Sequence, residues 1–221
     1  MNDTRPYLSS GWASLVTVLV VVVGVVALVG SVAYWINGLT HAQANVTVSV
    51  QVQQPLAQAW NPQGTDWSSD SVLLPRTALP DGVGLHVAPD SVALTAWDST
   101  LLEQALARVN VLVVGFGIAL GSWLLRPVLR SLELGRPFDP GNARRVAGVA
   151  LVIAAVGLLA PACSALAATV VLSRLDLGDP AGVAASWRLE LLPFLVMALV
   201  LAVAESFRRG EQMREDVEGL V

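Results

Sequence analysis

Arginine side chains supply most of the recognisable chemistry of this sequence. All 13 basic residues are arginine, and five of them lie between positions 126 and 145. A guanidinium group binds carboxylates and phosphates through paired hydrogen bonds. The segment therefore indicates a surface that docks a partner or an anionic lipid, or alternatively only the positive charge that orients a membrane helix. Its arginines are Arg126, Arg130, Arg136, Arg144 and Arg145.

A second charged group lies near the carboxyl end of the chain. Glu205 is followed by Arg208 and Arg209, and residues three and four positions apart are neighbours on a helix surface. The spacing predicts that Glu205 pairs with both arginines as a structural anchor, the alternative being a catalytic or transport carboxylate. No ionisable residue lies deep in any apolar stretch, which argues against a pump or a coupled transporter.

The remaining chemistry does not assemble into a reaction centre. The sequence contains no nucleophile–base–acid set and no glycine-rich phosphate loop. His41 and His86 have no metal-ligating neighbours, and Asp66 and Asp70 lack the spacing of a calcium loop. The net charge of −4 gives no basic footprint for nucleic acid. We therefore expect no enzyme, no cofactor, no metal and no direct nucleic-acid binding.

Hydropathy indicates which elements position these side chains. Only 14% of the residues are charged, against about 25% in a soluble domain, and the mean hydropathy is +0.63. Because a helix needs about 20 residues to cross a bilayer, the apolar stretches predict four transmembrane helices. The fourth reaches that length only if it runs from Trp187 to Arg208. The predicted spans are 15–36, 109–125, 146–172 and 187–208.

Arginine also sets the predicted orientation. Nine arginines lie in or beside segments 1–14, 126–145 and 209–221, and four lie on the opposite side. Cytoplasmic segments carry the excess of arginine, so both termini are expected in the cytoplasm. Ala42-Gln43-Ala44 matches a signal-peptide cleavage site, but the first apolar run exceeds the usual length and ends in Tyr34 and Trp35, which favours a retained helix.

Segment 37–108 is predicted to form a small extracytoplasmic domain. Valines alternate with polar residues from Val46 to Val52, which is the period of a half-buried strand. Strands are predicted at 46–52, 83–87 and 92–97. Asp98 or Ser99 can then cap a helix that starts near Thr100 and continues into the second span, with Glu103 close to the capping-box position. Since so small a sheet buries little core, we expect it to lean on the helices or on a partner, with its acidic residues on the surface.

The predicted fold class is an all-α membrane protein: a four-helix transmembrane bundle with a small β-rich extracytoplasmic domain between helices 1 and 2, a short extracytoplasmic loop at 173–186 and a cytoplasmic tail at 209–221. Pro137 and Pro140 bar a helix between them. Asp139 is then placed as the N-cap of the third helix, with Pro140 at its first position.

Two features inside the spans concern packing. Pro161 is expected to kink the third span, and Ser164 can satisfy a freed backbone group. Gly117 and Gly121 form a GxxxG pattern in the second span. Such small residues let helices approach closely, so they serve either a single bundle or a homodimer.

Two stretches of this sequence resemble a known family. They are Gly135-Arg136-Pro137-Phe138-Asp139-Pro140 with Asn142-Ala143-Arg144-Arg145, and Glu205-x-Phe207-Arg208-Arg209-Gly210 with Arg214-Glu215-Asp216. The pattern resembles the bacterial 2975 family of domains of unknown function, whose members are four-span inner-membrane proteins. The resemblance covers residues 100–221 well and the first hundred only in layout, and the segment 217–221 departs from it. The matching candidate site residues are Arg136, Phe138, Asp139, Asn142, Arg144, Arg145, Glu205, Phe207, Arg208 and Arg209.

The resemblance implies a location but no established activity. It places the chain in the bacterial inner membrane, and some members resemble partners of small helix-turn-helix regulators. With nothing catalytic, the hypothesis is a non-enzymatic sensor, regulator or scaffold that contacts membrane lipid and a cytoplasmic helix-turn-helix regulator or other membrane subunits. The alternatives are a transporter or channel subunit with a path lined by Ser164, Thr169 or Ser206, and a structural subunit of a larger membrane complex.

Overall fold

The computed structural model describes residues 10–40, 45–52, 83–88, 91–177 and 183–218. These residues form four long helices and one four-stranded sheet. In chain order the elements are α1 (Ser10–Thr40), β1 (Val46–Val52), β2 (Val83–Ala88), β3 (Ser91–Ala96), α2 (Leu101–Glu133), α3 (Asn142–Arg174), β4 (Val183–Ala185) and α4 (Leu192–Glu218). The cleavage motif at 42–44, His41, Asp66 and Asp70 lie outside the described residues.

The helices are unusually long and apolar. Within the described ranges, α1, α2 and α3 are long and apolar enough to cross a membrane, with 31, 33 and 33 residues. The fourth helix, α4, has 27 residues, but its charged residues begin at Glu205, so its apolar part is shorter. The predicted number of four helices is confirmed, whereas their insertion in a membrane stays a prediction.

The second helix extends further than its apolar run. It begins at Leu101, as predicted for a helix that continues into the span, and it ends only at Glu133. Arg126 and Arg130 are therefore helical and do not belong to a loop. Pro127 lies inside this helix; it lacks only the N–H that would bond to the carbonyl of Trp123, so the helix continues at the cost of one backbone hydrogen bond.

The fourth helix begins later and ends later than predicted. It starts at Leu192, where the backbone N–H of Leu195 donates to the carbonyl of Leu191 at 3.0 Å. Trp187 and Glu190 precede the helix, so the predicted start at Trp187 is wrong. The helix continues to Glu218, so the charged residues that follow Gly210 are helical as far as Glu218.

One compact unit comprises residues 33–112 and 159–189, of which 33–40, 45–52, 83–88, 91–112, 159–177 and 183–189 are described. Its sheet has the strand order β2-β3-β1-β4, with antiparallel pairing throughout. Val48 lies opposite Leu94 of β3, and Val50 lies opposite Ala185 of β4. The three predicted strands are confirmed to within a residue. Strand β4 was not predicted, because three residues are too few to show a period of two.

The core of this unit joins the sheet to a helix. Val46, Val48 and Val50 are at most 4% exposed, and Thr47 and Ser49 between them are exposed. Each valine so buried stabilises the fold by about 1.5–3 kcal/mol. The expectation that the sheet leans on the helices is confirmed, since the same cluster contains residues from the end of α3, namely Ala167, Ala168, Val171 and Leu172.

The other unit comprises residues 1–32, 113–158 and 190–221, of which 10–32, 113–158 and 190–218 are described. Val128, Val146 and Ala204 form its buried cluster, with Phe207 packed against them. Small residues bring α1 and α2 close together: a Cβ added at Gly24 would lie 2.7 Å from the Cβ of Ser122. This unit contains both charged groups identified in the sequence.

Candidate functional site

The turn between α2 and α3 is built around a buried amide. Asn142 is fully buried, and its Nδ2 donates to the Oγ of Ser131 at 2.6 Å and to the carbonyl of Pro137 at 3.1 Å. The hydroxyl of Ser131 in turn donates to the carbonyl of Val128 at 2.7 Å. A buried polar group is stable only when it is satisfied in this way, so Asn142 fixes the path of the turn.

The same amide orients an arginine. The Nη1 of Arg145 donates to the Oδ1 of Asn142 at 3.2 Å. Asn142 is itself fixed by its hydrogen bonds to Ser131 and Pro137. The hydrogen bond from Arg145 to Asn142 therefore restricts the orientation of the Arg145 guanidinium. The sequence places Asn142 and Arg145 in one motif, but it does not predict the hydrogen bond between them.

An aromatic contact joins the turn to α4. The rings of Phe138 and Phe207 lie with their centroids 6.0 Å apart at 60°, a tilted arrangement that aromatic pairs favour. Gly210 lies against the Phe138 ring so closely that an added Cβ would overlap it. The two sequence stretches that carry the family resemblance are therefore in contact.

Two polar contacts reinforce this packing. The backbone N–H of Ala143 donates to Glu211 at 3.3 Å, which places a carboxylate at the first turn of α3, where helix N–H groups are unsatisfied. Arg214 forms an ion pair with Asp139 at 3.6 Å. We call the contact set of Phe138, Asp139, Asn142, Ala143, Phe207, Gly210, Glu211 and Arg214 the loop–tail junction.

The predicted start of α3 needs a correction. The helix begins at Asn142, and not at Pro140, because Gly141 has a φ of +90°, which only glycine adopts readily. The backbone carbonyl of Asp139 accepts from the N–H of Asn142 at 3.1 Å. The Asp139 carboxylate pairs with Arg214, and the first turn of α3 closes on the carbonyl of Gly141, which accepts from the N–H of Arg145 at 3.1 Å, so the predicted N-cap role of Asp139 is wrong.

The predicted pairing of Glu205 with two arginines on α4 is present. Glu205 accepts from Arg208 at 2.7 and 2.8 Å and from Arg209 at 3.0 Å. Both arginines remain exposed, and the Glu205 side chain is 39% exposed. An ion pair in such a position contributes little to stability, but it keeps the two guanidinium groups at one place on the surface.

Four other arginines face solvent-accessible space. Arg126, Arg130, Arg136 and Arg144 are exposed, and the side chain of none of them makes a hydrogen bond or ion pair with another residue that the structure describes. Two of them, together with Arg145, line a cleft of about 420 Å³. We call it the arginine cleft; its lining residues are Trp123, Leu124, Arg126, Pro127, Arg130 and Arg145.

A second cavity, of about 470 Å³, lies among α2, α3 and α4. Ser122 is the one side chain with a polar atom among its lining residues. Ser164, Thr169 and Ser206 do not line it and donate instead to backbone carbonyls of their own helices, at 3.2, 2.9 and 3.0 Å. The polar path that a transporter requires is therefore not formed by these three hydroxyls.

Comparison with models of protein families, with curated proteins and with solved structures finds no match. The family resemblance of the two sequence stretches therefore stays a prediction.

Several participants were not predicted. Ser131, Glu211 and the pairing of Arg214 with Asp139 depend on contacts between segments that are distant in sequence. One pattern in the sequence could have indicated them. Glu211 and Arg214 are three residues apart after Gly210, so they lie on one side of α4 if the helix continues past Gly210. Ser164 differs too, since it bonds to Ala160 and not to the carbonyl of Gly157 that Pro161 leaves without its usual donor.

Proposed function

We propose that this chain is a four-span protein of the bacterial inner membrane with both termini in the cytoplasm. It acts without catalysis, as a scaffold or regulator that docks a cytoplasmic protein at the loop–tail junction. The observation that carries the proposal is that the α2–α3 turn and α4 are fixed to each other by aromatic, polar and ionic contacts. A surface that is fixed in advance loses less conformational entropy when it binds.

The membrane placement is supported by the surfaces of the helices. Large apolar side chains are exposed along α1, for example Val18 at 59%, Val26 at 63% and Val29 at 61%. A soluble protein rarely exposes a continuous apolar surface of this extent, whereas lipid tails would cover it.

The chemistry of the partner is indicated by charge. Arg136 and Arg144 beside the turn are exposed and unpaired among the described residues, and Arg208 and Arg209 are exposed on α4. Arginines on a rigid surface select carboxylate-rich partners and raise the association rate. We therefore propose a cytoplasmic protein with an acidic face, for which a helix-turn-helix regulator is the candidate that the family resemblance implies.

The proposal can be tested by cross-linking and affinity capture in native membranes. A specific cytoplasmic protein should be recovered with the unaltered chain and lost with the double variant Arg136→Gln/Arg144→Gln. Arg188→Gln is the matched control, since Arg188 is also exposed but lies at the predicted outer end of the fourth span, on the side of the membrane opposite to Arg136 and Arg144. Recovery of only lipid and chaperones, or equal loss with the control, would overturn the proposal.

A further inference from the structure

We propose that the arginine cleft is a binding site for one anionic glycerophospholipid. Its phosphate lies among Arg126, Arg130 and Arg145, and an acyl chain lies along Trp123 and Leu124. The inference rests on the membrane placement proposed above, but it is independent of the cytoplasmic partner.

Among the described residues, the lining of the cleft has three arginines and no acidic side chain. Arg126 and Arg130 lie one helical turn apart on α2, and Arg145 contributes from α3. The nearest acidic residue along the helix, Glu133, accepts a hydrogen bond from Thr17 at 2.7 Å and forms no ion pair with an arginine that the structure describes. Because like charges repel strongly where water is partly excluded, an anion in the cleft relieves this repulsion.

One of the three arginines is oriented in advance. Arg145 is held by the Oδ1 of Asn142 at 3.2 Å, and Asn142 is buried and bonded to Ser131 and Pro137. A restrained guanidinium loses less freedom on binding a phosphate than a mobile one does. Asn142 is therefore a positioning residue for the site.

The apolar wall distinguishes a lipid from a soluble anion. Trp123 is 69% exposed, and it stands with Leu124 at the end of an apolar run that stops at Arg126. In a membrane-spanning α2 this is the depth at which tails give way to headgroups, where tryptophan and arginine are favoured. Basic pockets between transmembrane helices on the cytoplasmic side bind anionic headgroups in this way.

The size of the cleft agrees with a headgroup. Its volume of about 420 Å³ falls within the range of about 300–1,000 Å³ for small-molecule sites. A phosphodiester with its glycerol fits such a space, and its tails would remain in the surrounding lipid.

The test uses the purified full-length protein in phosphatidylcholine nanodiscs that contain a minor fraction of phosphatidylglycerol. Bound lipid is measured by native mass spectrometry after release, with inorganic phosphate as a competitor. We expect phosphatidylglycerol to be retained over phosphatidylcholine and to resist inorganic phosphate. Arg126→Gln, Arg130→Gln and Arg145→Gln should each weaken retention about fivefold, as expected for one basic residue at a lipid surface.

Matched variants separate this site from general surface charge. Arg136→Gln/Arg144→Gln removes two arginines that do not line the cleft and should leave retention unchanged, although it should abolish capture of the cytoplasmic partner. Ser131→Ala removes a hydrogen bond of Asn142 but changes no residue that lines the cleft. It should weaken lipid retention only through Arg145, so the double variant Ser131→Ala/Arg145→Gln should retain as much lipid as Arg145→Gln alone. Trp123→Ala should weaken retention of the lipid while thermal unfolding shows that the protein remains folded.

Three results would overturn the inference. They are equal retention of both lipids, equal weakening by the arginines outside the cleft, and displacement of the lipid by inorganic phosphate with no dependence on Trp123, which would indicate a site for a soluble anion. The two proposals can fail separately. If phosphatidylglycerol is retained but no cytoplasmic partner is captured, the lipid site stands and only the proposed docking role is overturned.

Discussion

Glu103 and Arg174 form a partly buried ion pair across 71 residues of sequence, with the Nε of Arg174 donating to the Oε1 of Glu103 at 2.7 Å. The Glu103 side chain is only 2% exposed. Its other oxygen accepts from the backbone N–H of Thr100 at 2.9 Å, and the Thr100 hydroxyl accepts from the N–H of Glu103 at 3.3 Å. One carboxylate therefore caps α2 and ties its start to the end of α3.

The first prediction concerns this carboxylate. Glu103→Gln removes the charge that compensates Arg174 while it keeps the size of the side chain. Breaking a buried pair costs about 3–5 kcal/mol, and since Arg174 is 30% exposed we expect the lower part of that range in the free energy of unfolding. The measurement is a denaturant titration of the detergent-solubilised protein.

Glu190→Gln is the matched control, because Glu190 is exposed and should change the free energy of unfolding little. Arg174→Gln should also destabilise, and the double variant should cost less than the sum of the two single ones. An additive double variant would contradict the pairing.

The sequence predicted the capping role of Glu103 but not its burial. Its spacing from the preceding polar residues placed it at a capping-box position, although the N-cap is Thr100 and not Asp98 or Ser99. The acidic residues of this segment were expected on the surface, and Glu103 is buried instead. A local pattern cannot show this, because burial depends on Arg174 and on the sheet that packs over α3.

The second prediction concerns the loop–tail junction. Gly210→Ala places a methyl group where the Phe138 ring lies, so the ring must leave its contact with Phe207. Overpacking of this kind costs about 1–3 kcal/mol of unfolding free energy. Thermal unfolding in detergent should detect the loss, and hydrogen exchange should show earlier opening of residues 136–141.

Gly30→Ala is the control for this substitution. Gly30 also lies in a long helix, but no atom stands within 4 Å of an added Cβ. Alanine favours a helix over glycine by about 1 kcal/mol, so this variant should be neutral or slightly stabilised. Equal destabilisation of both variants would mean that Gly210 is not in contact with Phe138.

The long helices were predictable, and the contacts between their ends were not. Apolar runs are read directly from composition, which is why α1, α2 and α3 were found. The helix ends depend on local backbone geometry: Gly141 delays the start of α3 through its positive φ, and α4 starts only after Leu191, later than Trp187. Asp139 illustrates the difficulty. Its position before Pro140 suits an N-cap, but its carboxylate forms an ion pair with Arg214 on α4.

The third prediction is topological. An alkaline phosphatase fused after Val221 should be inactive and a green fluorescent protein at the same position should fluoresce, because both ends of the chain are proposed to be cytoplasmic. Phosphatase inserted between residues 60 and 70 should be active. The chain should also remain with vesicles after alkaline carbonate extraction; a phosphatase-positive carboxyl terminus would contradict the scheme.

The fourth prediction separates packing within the chain from a homodimer. Gly117 lies against Val156 of α3, so that an added Cβ would overlap it, whereas no atom lies within 4 Å of an added Cβ at Gly121. Gly117→Ala should therefore lower the unfolding free energy by about 1–3 kcal/mol through overpacking. Gly121→Ala should be neutral or stabilising, since it adds helix propensity and enters the open cavity beside it.

This asymmetry distinguishes the two uses of the GxxxG pattern. In a homodimer seam both glycines let the partner helix approach, so either substitution should weaken association. If Gly117 serves contact with α3 instead, only Gly117→Ala should lower stability, and neither variant should change the oligomeric state. The measurement pairs thermal unfolding with cross-linking in native membranes, and loss of a cross-linked dimer with Gly121→Ala would show that this side of α2 is an interface between copies.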